Sequence, residues 1–406
     1  MFILPQLPGD FYSEHPVLDH IRRAAYAQPM NPPAPDAVLG VCLARVAALV
    51  PLATTLPGVG GTVNFIGGIV GPPGAGKSTA QRLARYLIPN LGEKTRDSVP
   101  VGSGEGMVEA YLRTATVDNK KTKVQDFDAA YFYVDEAEGF INRTKSEVST
   151  TLATLRTLWS GADAGALNAQ TETTRHIGDS SYRFSAVFGF QPTYAMTLIH
   201  DDKAGTPQRF LFVSALDKTM PDVPGANPGP LDVMPPPPGE ISVDREIIRH
   251  ISERRRQVQR GELLQTPLDA HRDFVRLRTA YLLAVLCGDH EGISPKWWNL
   301  AGRMLDTSHG IIAALYDDAL AAAAKDDDRR IEERINSREA EAEKKMNRMG
   351  ARLAGYAREA GEPSTWAALS RNLNGPERRA YPSADPFVNL GYLRYVGNNR
   401  YVAASR

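Results

Sequence analysis

The chain has 406 residues, 42% of them hydrophobic, which is enough to bury a full core and to build two or three domains. Lys+Arg and Asp+Glu both number 47, so the overall charge points to no polyanionic partner, and any nucleic-acid surface must be local. Only Cys42 and Cys287 are present, without CxxC spacing or a Cys/His cluster, which argues against a disulfide framework or a zinc site and for a reducing cytosol.

Residues 1–58 read as a helical amino-terminal collar. The opening MFILPQLPGDFYSEH lacks a basic leader and a long apolar core, so no secretion signal is expected. Val17, Ile21, Ala24 and Ala25 follow helical spacing, the proline-rich joint Met30 to Pro35 intervenes, and Asp36 can cap the next helix. The most apolar stretch, Ala37 to Leu56, is interrupted by Arg45 and Pro51 and followed by Pro57. It is too broken to span a bilayer, and a buried helix is expected, packed on the next domain or on a neighbouring subunit.

Residues 59–220 carry the recognisable chemistry. An apolar, β-branched run from Val63 to Val70 ends in Gly71-Pro72-Pro73-Gly74-Ala75-Gly76-Lys77-Ser78-Thr79, and Ala80, Leu83, Ala84 and Leu87 then mark one face of a helix. Strand, glycine loop and helix in this order form a nucleotide-binding turn, in which main-chain N–H groups and the helix amino end face phosphate oxygens. Lys77 reaches the β- and γ-phosphates of ATP, and Ser78 holds Mg²⁺. The polar stretch after Leu112 contains Lys120, Lys121 and Lys123, which face either a phosphate backbone or simply solvent. The strand Ala129 to Val134 then ends in Asp135 and Glu136, far enough down the chain for one helix and a crossover to precede it. Asp135 at the strand end suits the metal, and Glu136 suits the attacking water.

A helix is expected over Ser146 to Ser160, followed by a hairpin made of Ala166 to Ile177 and Tyr182 to Phe190, with Arg175 and His176 near its tip. These two residues are either a finger for a nucleic-acid strand or ordinary surface cations. If the strand ending at Phe190 lies beside the one carrying Asp135, the amide of Gln191 comes near the γ-phosphate. Arg209 stands immediately before the apolar strand Phe210 to Ser214. It can project into the nucleotide of a neighbouring subunit, or pair with a carboxylate at the strand start.

Residues 221–325 read as a proline-rich, stiff, exposed connector through Pro238 and a helical lid, with helices over Ile241 to Leu264, Pro267 to Leu286, Ile293 to Leu305 and Gly310 to Ala324. A lid would bring one of Arg272, Arg276 and Arg278 against the phosphates; periodicity does not choose, and Arg276 is the candidate retained. Residues 326–345 form a charged, solvated linker helix. Residues 346–406 combine helices with a hairpin turning at Gly397-Asn398-Asn399, the pattern of a winged helix. Arg371, Arg378, Arg379, Arg394 and Arg400 make that domain locally basic, for nucleic acid or for a protein partner.

The series GPPGAGKS (Gly71 to Ser78), YVDEAE (Tyr133 to Glu138), FGFQP (Phe188 to Pro192) and TPQRFLFV (Thr206 to Val213) resembles AAA+ ATPases, in particular replicative helicases of the minichromosome-maintenance type and primase-associated helicase-like ATPases of phages and integrative elements. The resemblance implies an α/β fold, an AAA+ P-loop core with a parallel sheet, a helical amino-terminal segment and lid, and a carboxy-terminal winged helix. It further implies ATP and Mg²⁺ as cofactors, Arg209 acting in trans, Arg175 and His176 on a DNA strand in a ring channel, and a homo-oligomer, a hexamer by family habit. Single-stranded or forked DNA is the implied partner, together with a separate primase or initiator; no membrane is implied. Two departures stand out: Gln191 replaces the usual asparagine, and the segment before the glycine loop is short. A loader that places another protein on DNA, or a nucleotide-switched interaction module, fits the same residues.

Overall fold

A computed structural model describes residues 4–58, 61–117, 120–144, 150–168, 174–201, 204–266 and 269–405. The chain starts with three helices, α1 (Gly9–Ser13), α2 (Pro16–Tyr26) and α3 (Pro35–Leu49). Strands and helices then alternate: β1 (Phe65–Val70), α4 (Lys77–Leu87), β2 (Thr95–Val99), α5 (Gly104–Glu109), the hairpin β3 (Leu112–Val117) with β4 (Lys120–Gln125), and β5 (Ala129–Val134). After α6 (Ala137–Thr144) and α7 (Thr151–Ser160) comes a second hairpin, β6 (Ala164–Ala166) with β7 (Arg175–Ile177), followed by β8 (Arg183–Phe190), α8 (Pro192–Ile199) and β9 (Phe210–Ser214). The helices α9 (Arg245–Gln259), α10 (Arg272–Leu286) and α11 (Pro295–Glu359) follow. The chain ends with β10 (Ser364–Thr365), α12 (Trp366–Leu369), α13 (Gly375–Ala380), α14 (Asp385–Asn389), β11 (Leu393–Gly397) and β12 (Arg400–Ala403).

Contacts divide the chain into two units, Met1–Ala319 and Leu320–Arg406. In the first, β2-β5-β8-β1-β9 form one sheet whose neighbours all run parallel. Parallel pairing demands cover on both faces, and β1, β8 and β9 accordingly bury every residue. The expected buried helix is α3, which packs against β1, β5, β8 and β9. Gly40 makes the approach close, since a Cβ there would stand 3.0 Å from Val213 Cγ2. Arg45, fully buried in α3, donates to both carboxylate oxygens of Asp97 on β2 at 2.9 and 3.2 Å and to the Ile88 carbonyl at 2.8 Å. Burial would raise the Asp97 carboxyl, but these bonds and the guanidinium charge hold it below the ordinary carboxylate range.

The predicted collar, core and lid share one hydrophobic core, so they are layers of a single unit. The proline-rich connector is exposed but fastened: the Gly225 N–H donates to Tyr26, the Leu231 N–H to Leu87, and the His20 ring meets the Gly229 carbonyl. The predicted lid helices begin later than expected, at Arg245 and Arg272, and the predicted starts at Ser146 and Pro267 lie outside the described residues. The two helices expected between Ile293 and Ala324, the linker helix and the helix from Met346 form one continuous element, α11. No proline follows Pro295 until Pro363, and the glycines between cost only about 1 kcal/mol each.

The second unit has its own core, Leu353, Leu369, Phe387, Leu393 and Tyr401 among it, below a three-stranded antiparallel sheet in the order β10-β12-β11. Asn398 and Asn399 turn the β11–β12 hairpin with positive φ, as the sequence requires.

Candidate functional site

The carboxyl ends of β1, β5 and β8 converge on a cavity of about 240 Å³. Its lining includes Pro73 to Thr79 from the glycine loop and α4, Asp135, Glu136 and Glu138 from behind β5, Gly189 and Gln191 at the end of β8, and Tyr194 on α8. Gly74 and Gly76 both take φ +78°, a left-handed conformation that side chains avoid, and this lets the loop curl directly into the amino end of α4. Gly71 and Pro72 lie beneath the cavity lining, and their carbonyls each accept from the Lys77 ammonium at 2.9 Å. Burial lowers the Lys77 pKa, with the charges of Asp135 and Glu136 opposing it.

The Ser78 hydroxyl donates to the two oxygens of Asp135 at 2.7 and 2.8 Å, and the Tyr133 hydroxyl donates to Asp135 Oδ1 at 2.9 Å. Burial first, and then Asp135, push the Tyr133 phenol well above its usual value, so it remains a donor. A hydroxyl and one carboxylate, both hard oxygen donors, suit Mg²⁺ when substrate phosphates and water complete the shell. Among the described residues no group of three or more His, Cys, Asp or Glu could hold a metal without such help.

β8 lies between β1 and β5, so the tip of one strand brings Gln191 between the loop and the acid pair. Gly189 makes that closeness feasible: a Cβ there would stand 2.3 Å from the Asp135 carbonyl oxygen and 3.6 Å from Lys77 Cδ. Sequence reasoning missed Asn31. It lines the cavity and donates to Thr79 Oγ1 at 3.0 Å, while Pro33 packs on Gly76. The signal was the Asn-Pro-Pro joint, which fixes an extended path across the glycine loop.

Two arginines predicted for this chemistry are elsewhere. Arg276 does not line the cavity: its Nε donates to the Trp298 carbonyl at 2.9 Å and its guanidinium lies 4.0 Å from the Trp298 ring centroid. Its neighbours are committed too, Arg272 to Asp306 and Arg278 to the carbonyls of Asn64 and Trp159. Arg209 precedes β9 at the opposite end of the sheet, where Phe210 pairs with Ile66 near the start of β1. It is held by the Gly205 carbonyl and stacks on Trp159 at 5.2 Å; among the described residues no carboxylate pairs with it. Burial and Arg156 push its pKa down to about 10.

The proposed nucleic-acid contacts also divide. The predicted lysine loop is the β3–β4 hairpin, on which Lys121 is exposed and Lys123 is bonded to Glu109; the Lys120 side chain is outside the described residues. The second hairpin pairs β7 with β6, not with the stretch from Tyr182. That stretch is β8 of the central sheet, because its unbroken burial suits a central strand. Arg175 sits on the last paired rung and bonds Glu109, and His176 lies 3.2 Å from Asp163. In the second unit Arg378 donates to the carbonyls of Ser370, Arg371 and Leu373, which ties α13 to the turn that precedes it. Arg400 donates to Pro363, whereas Arg371, Arg379 and Arg394 are exposed.

No helix among the described residues is long and apolar enough to cross a membrane. Comparison with models of protein families gives no match, and neither does comparison with curated proteins.

Proposed function

We propose that this chain is a Mg²⁺-dependent ATP hydrolase of the AAA+ type, a subunit of a DNA-translocating or DNA-unwinding ring that serves replication of a phage or mobile element. The observation that carries the reading is the Ser78–Asp135 contact, where the glycine loop meets the acid pair at one cavity. In this reading the loop N–H groups and Lys77 bind the phosphates, and Ser78 and Asp135 hold the metal. Bound Mg²⁺ supplies charge neutralisation of the phosphates. Glu136 takes the proton of the attacking water, and Gln191 orients that water. Arg209 serves the neighbouring subunit, and the second unit is a winged helix.

Phosphate release by the full chain tests the hydrolase. Lys77→Ala is expected to lose nucleotide binding, and Glu136→Gln to bind ATP but turn it over at least about 100-fold more slowly. Wild-type turnover by Glu136→Gln would overturn it. A loader that never translocates is the second reading. It is favoured by α14, Asp385–Asn389, which opens on an acid and carries no Lys or Arg where a DNA-reading helix needs them. Strand displacement on a forked duplex separates the two.

A further inference from the structure

Thr79 stands in the first turn of α4, and two side chains donate to its hydroxyl oxygen: Asn31 Nδ2, from the joint between α2 and α3, at 3.0 Å, and Arg82 Nη2, from the next turn of α4, at 3.4 Å. A hydroxyl has two acceptor lone pairs and one proton, so this oxygen is saturated as an acceptor and has only its proton left to give. Thr157, Thr197 and Thr307 give theirs to the carbonyl four residues back in their own helices. Thr79 has no helical carbonyl behind it, and among the described residues its proton has no acceptor. Thr79, Asn31 and Arg82 all line the cavity. α4 has no side-chain cap, so its first-turn N–H groups add to the same donor face. Arg82 is exposed, and among the described residues no carboxylate lies within ion-pair distance of it.

Donors gathered around a cation that lacks a counter-charge suit an anionic acceptor. The reading above gives the β- and γ-phosphates to Lys77 and the attacking water to Glu136 and Gln191, which leaves the α-phosphate beside the nucleoside. We infer that Thr79 and Arg82 take the α-phosphate, and that Asn31 is a positioning residue that holds the Thr79 hydroxyl as a donor. The path that delivers Asn31 is fixed by Pro33, whose Cα would stand 3.3 Å from a Cβ on Gly76. The inference rests on the hydrolase reading and extends its nucleotide site into the amino-terminal segment.

The test is titration of the full chain with fluorescent ATP and fluorescent ADP, with thermal melting of each variant in the absence of nucleotide. Both nucleotides carry an α-phosphate, so Arg82→Gln and Thr79→Val are each expected to weaken both of them alike, by at least about 10-fold. Arg82→Lys keeps the charge and Thr79→Ser the hydroxyl, and both are expected to retain most of the wild-type affinity. Asn31→Ala is expected to weaken both nucleotides several-fold in the wild-type background and to add nothing in Thr79→Val, because its effect passes through that hydroxyl. An equal loss in both backgrounds would overturn the positioning role of Asn31. Wild-type affinity and melting in Arg82→Gln and Thr79→Val would overturn the inference and leave the hydrolase reading intact. Absence of nucleotide binding by the wild type would overturn that reading, and the inference with it.

Discussion

Gly189→Ala is the sharpest perturbation of the proposed site because it changes no functional group. The added methyl would lie 2.3 Å from the Asp135 carbonyl oxygen, whereas real Cβ atoms essentially never approach below 3.0 Å, so β5 and β8 must part by at least about 0.7 Å at their tips. Backbone atoms carry the clash, and no rotamer relieves it. Overpacking of this kind costs about 1–3 kcal/mol. The same methyl would make only ordinary contact with Lys77 Cδ at 3.6 Å, so the loop's grip on phosphate is spared. Nucleotide affinity is therefore expected to stay within a few-fold of wild type, while a displacement near 1 Å of Asp135 and Glu136 lowers turnover about 100-fold. Fluorescent-nucleotide titration, phosphate release and thermal melting read the three quantities. Gly178→Ala is the control, since its methyl would meet only Ser181 at 3.7 Å. Wild-type turnover and melting in Gly189→Ala would refute the argument that this close approach sets the acid pair.

Tyr133→Phe removes the donor at 2.9 Å from Asp135 Oδ1, and the Mg²⁺ concentration for half-maximal hydrolysis is expected to rise several-fold, with excess Mg²⁺ restoring the rate; an unchanged Mg²⁺ titration would count against a positioning role. Asp36 accepts from the Leu7 N–H and the Tyr12 hydroxyl, and burial raises its carboxyl to about 6. A folded value above the unfolded one of about 3.9 makes its contribution complete below about pH 4 and lost as pH rises through 6, on the order of 3 kcal/mol. Urea unfolding from pH 4 to 7 is expected to show that decline in wild type and not in Asp36→Asn; parallel profiles would contradict it. Arg276→Ala is expected to destabilise by about 1–2 kcal/mol through the lost stack on Trp298 while leaving turnover unchanged. A large fall in turnover at wild-type stability would return Arg276 to the nucleotide.

The glycine loop and the acid pair were legible because each is a local pattern whose residues and backbone demands are contiguous. Gln191 followed once strand adjacency was assumed. Where Arg276 and Arg378 are anchored was not legible because basic side chains look alike in sequence, and their partners, the Trp298 ring and the carbonyls near Ser370, are supplied by packing. The second hairpin went wrong at Gly178 to Ser181, which reads as a hairpin turn but only connects β7 to the sheet. The two prolines after Asn31 mark an extended path, but an amide there carries no motif of its own, and only the fold brings it to Thr79.

The two ends of the central sheet differ in a way that bears on the proposed ring. At one end stand the glycine loop, proposed to take phosphate, and the acid pair. At the other, Trp159 is flanked by Arg209 at 5.2 Å and Arg278 at 3.8 Å, and among the described residues neither guanidinium has a carboxylate within ion-pair distance. Burial, followed by Arg209, Arg278 and Arg255, pushes His271 down to about 4, so it adds no charge and accommodates theirs. Arg278 spends its Nη1 on two carbonyls, whereas among the described residues half-buried Arg209 donates to the Gly205 carbonyl alone. Holding cations together without counter-charge is costly unless an anion from outside offsets it. A ring of head-to-tail contacts needs two unlike faces on each subunit. An arginine edge complementary to the phosphates bound at a neighbour's loop would supply that pair, which is why Arg209, and not a lid arginine, is the residue on which the proposed assembly depends.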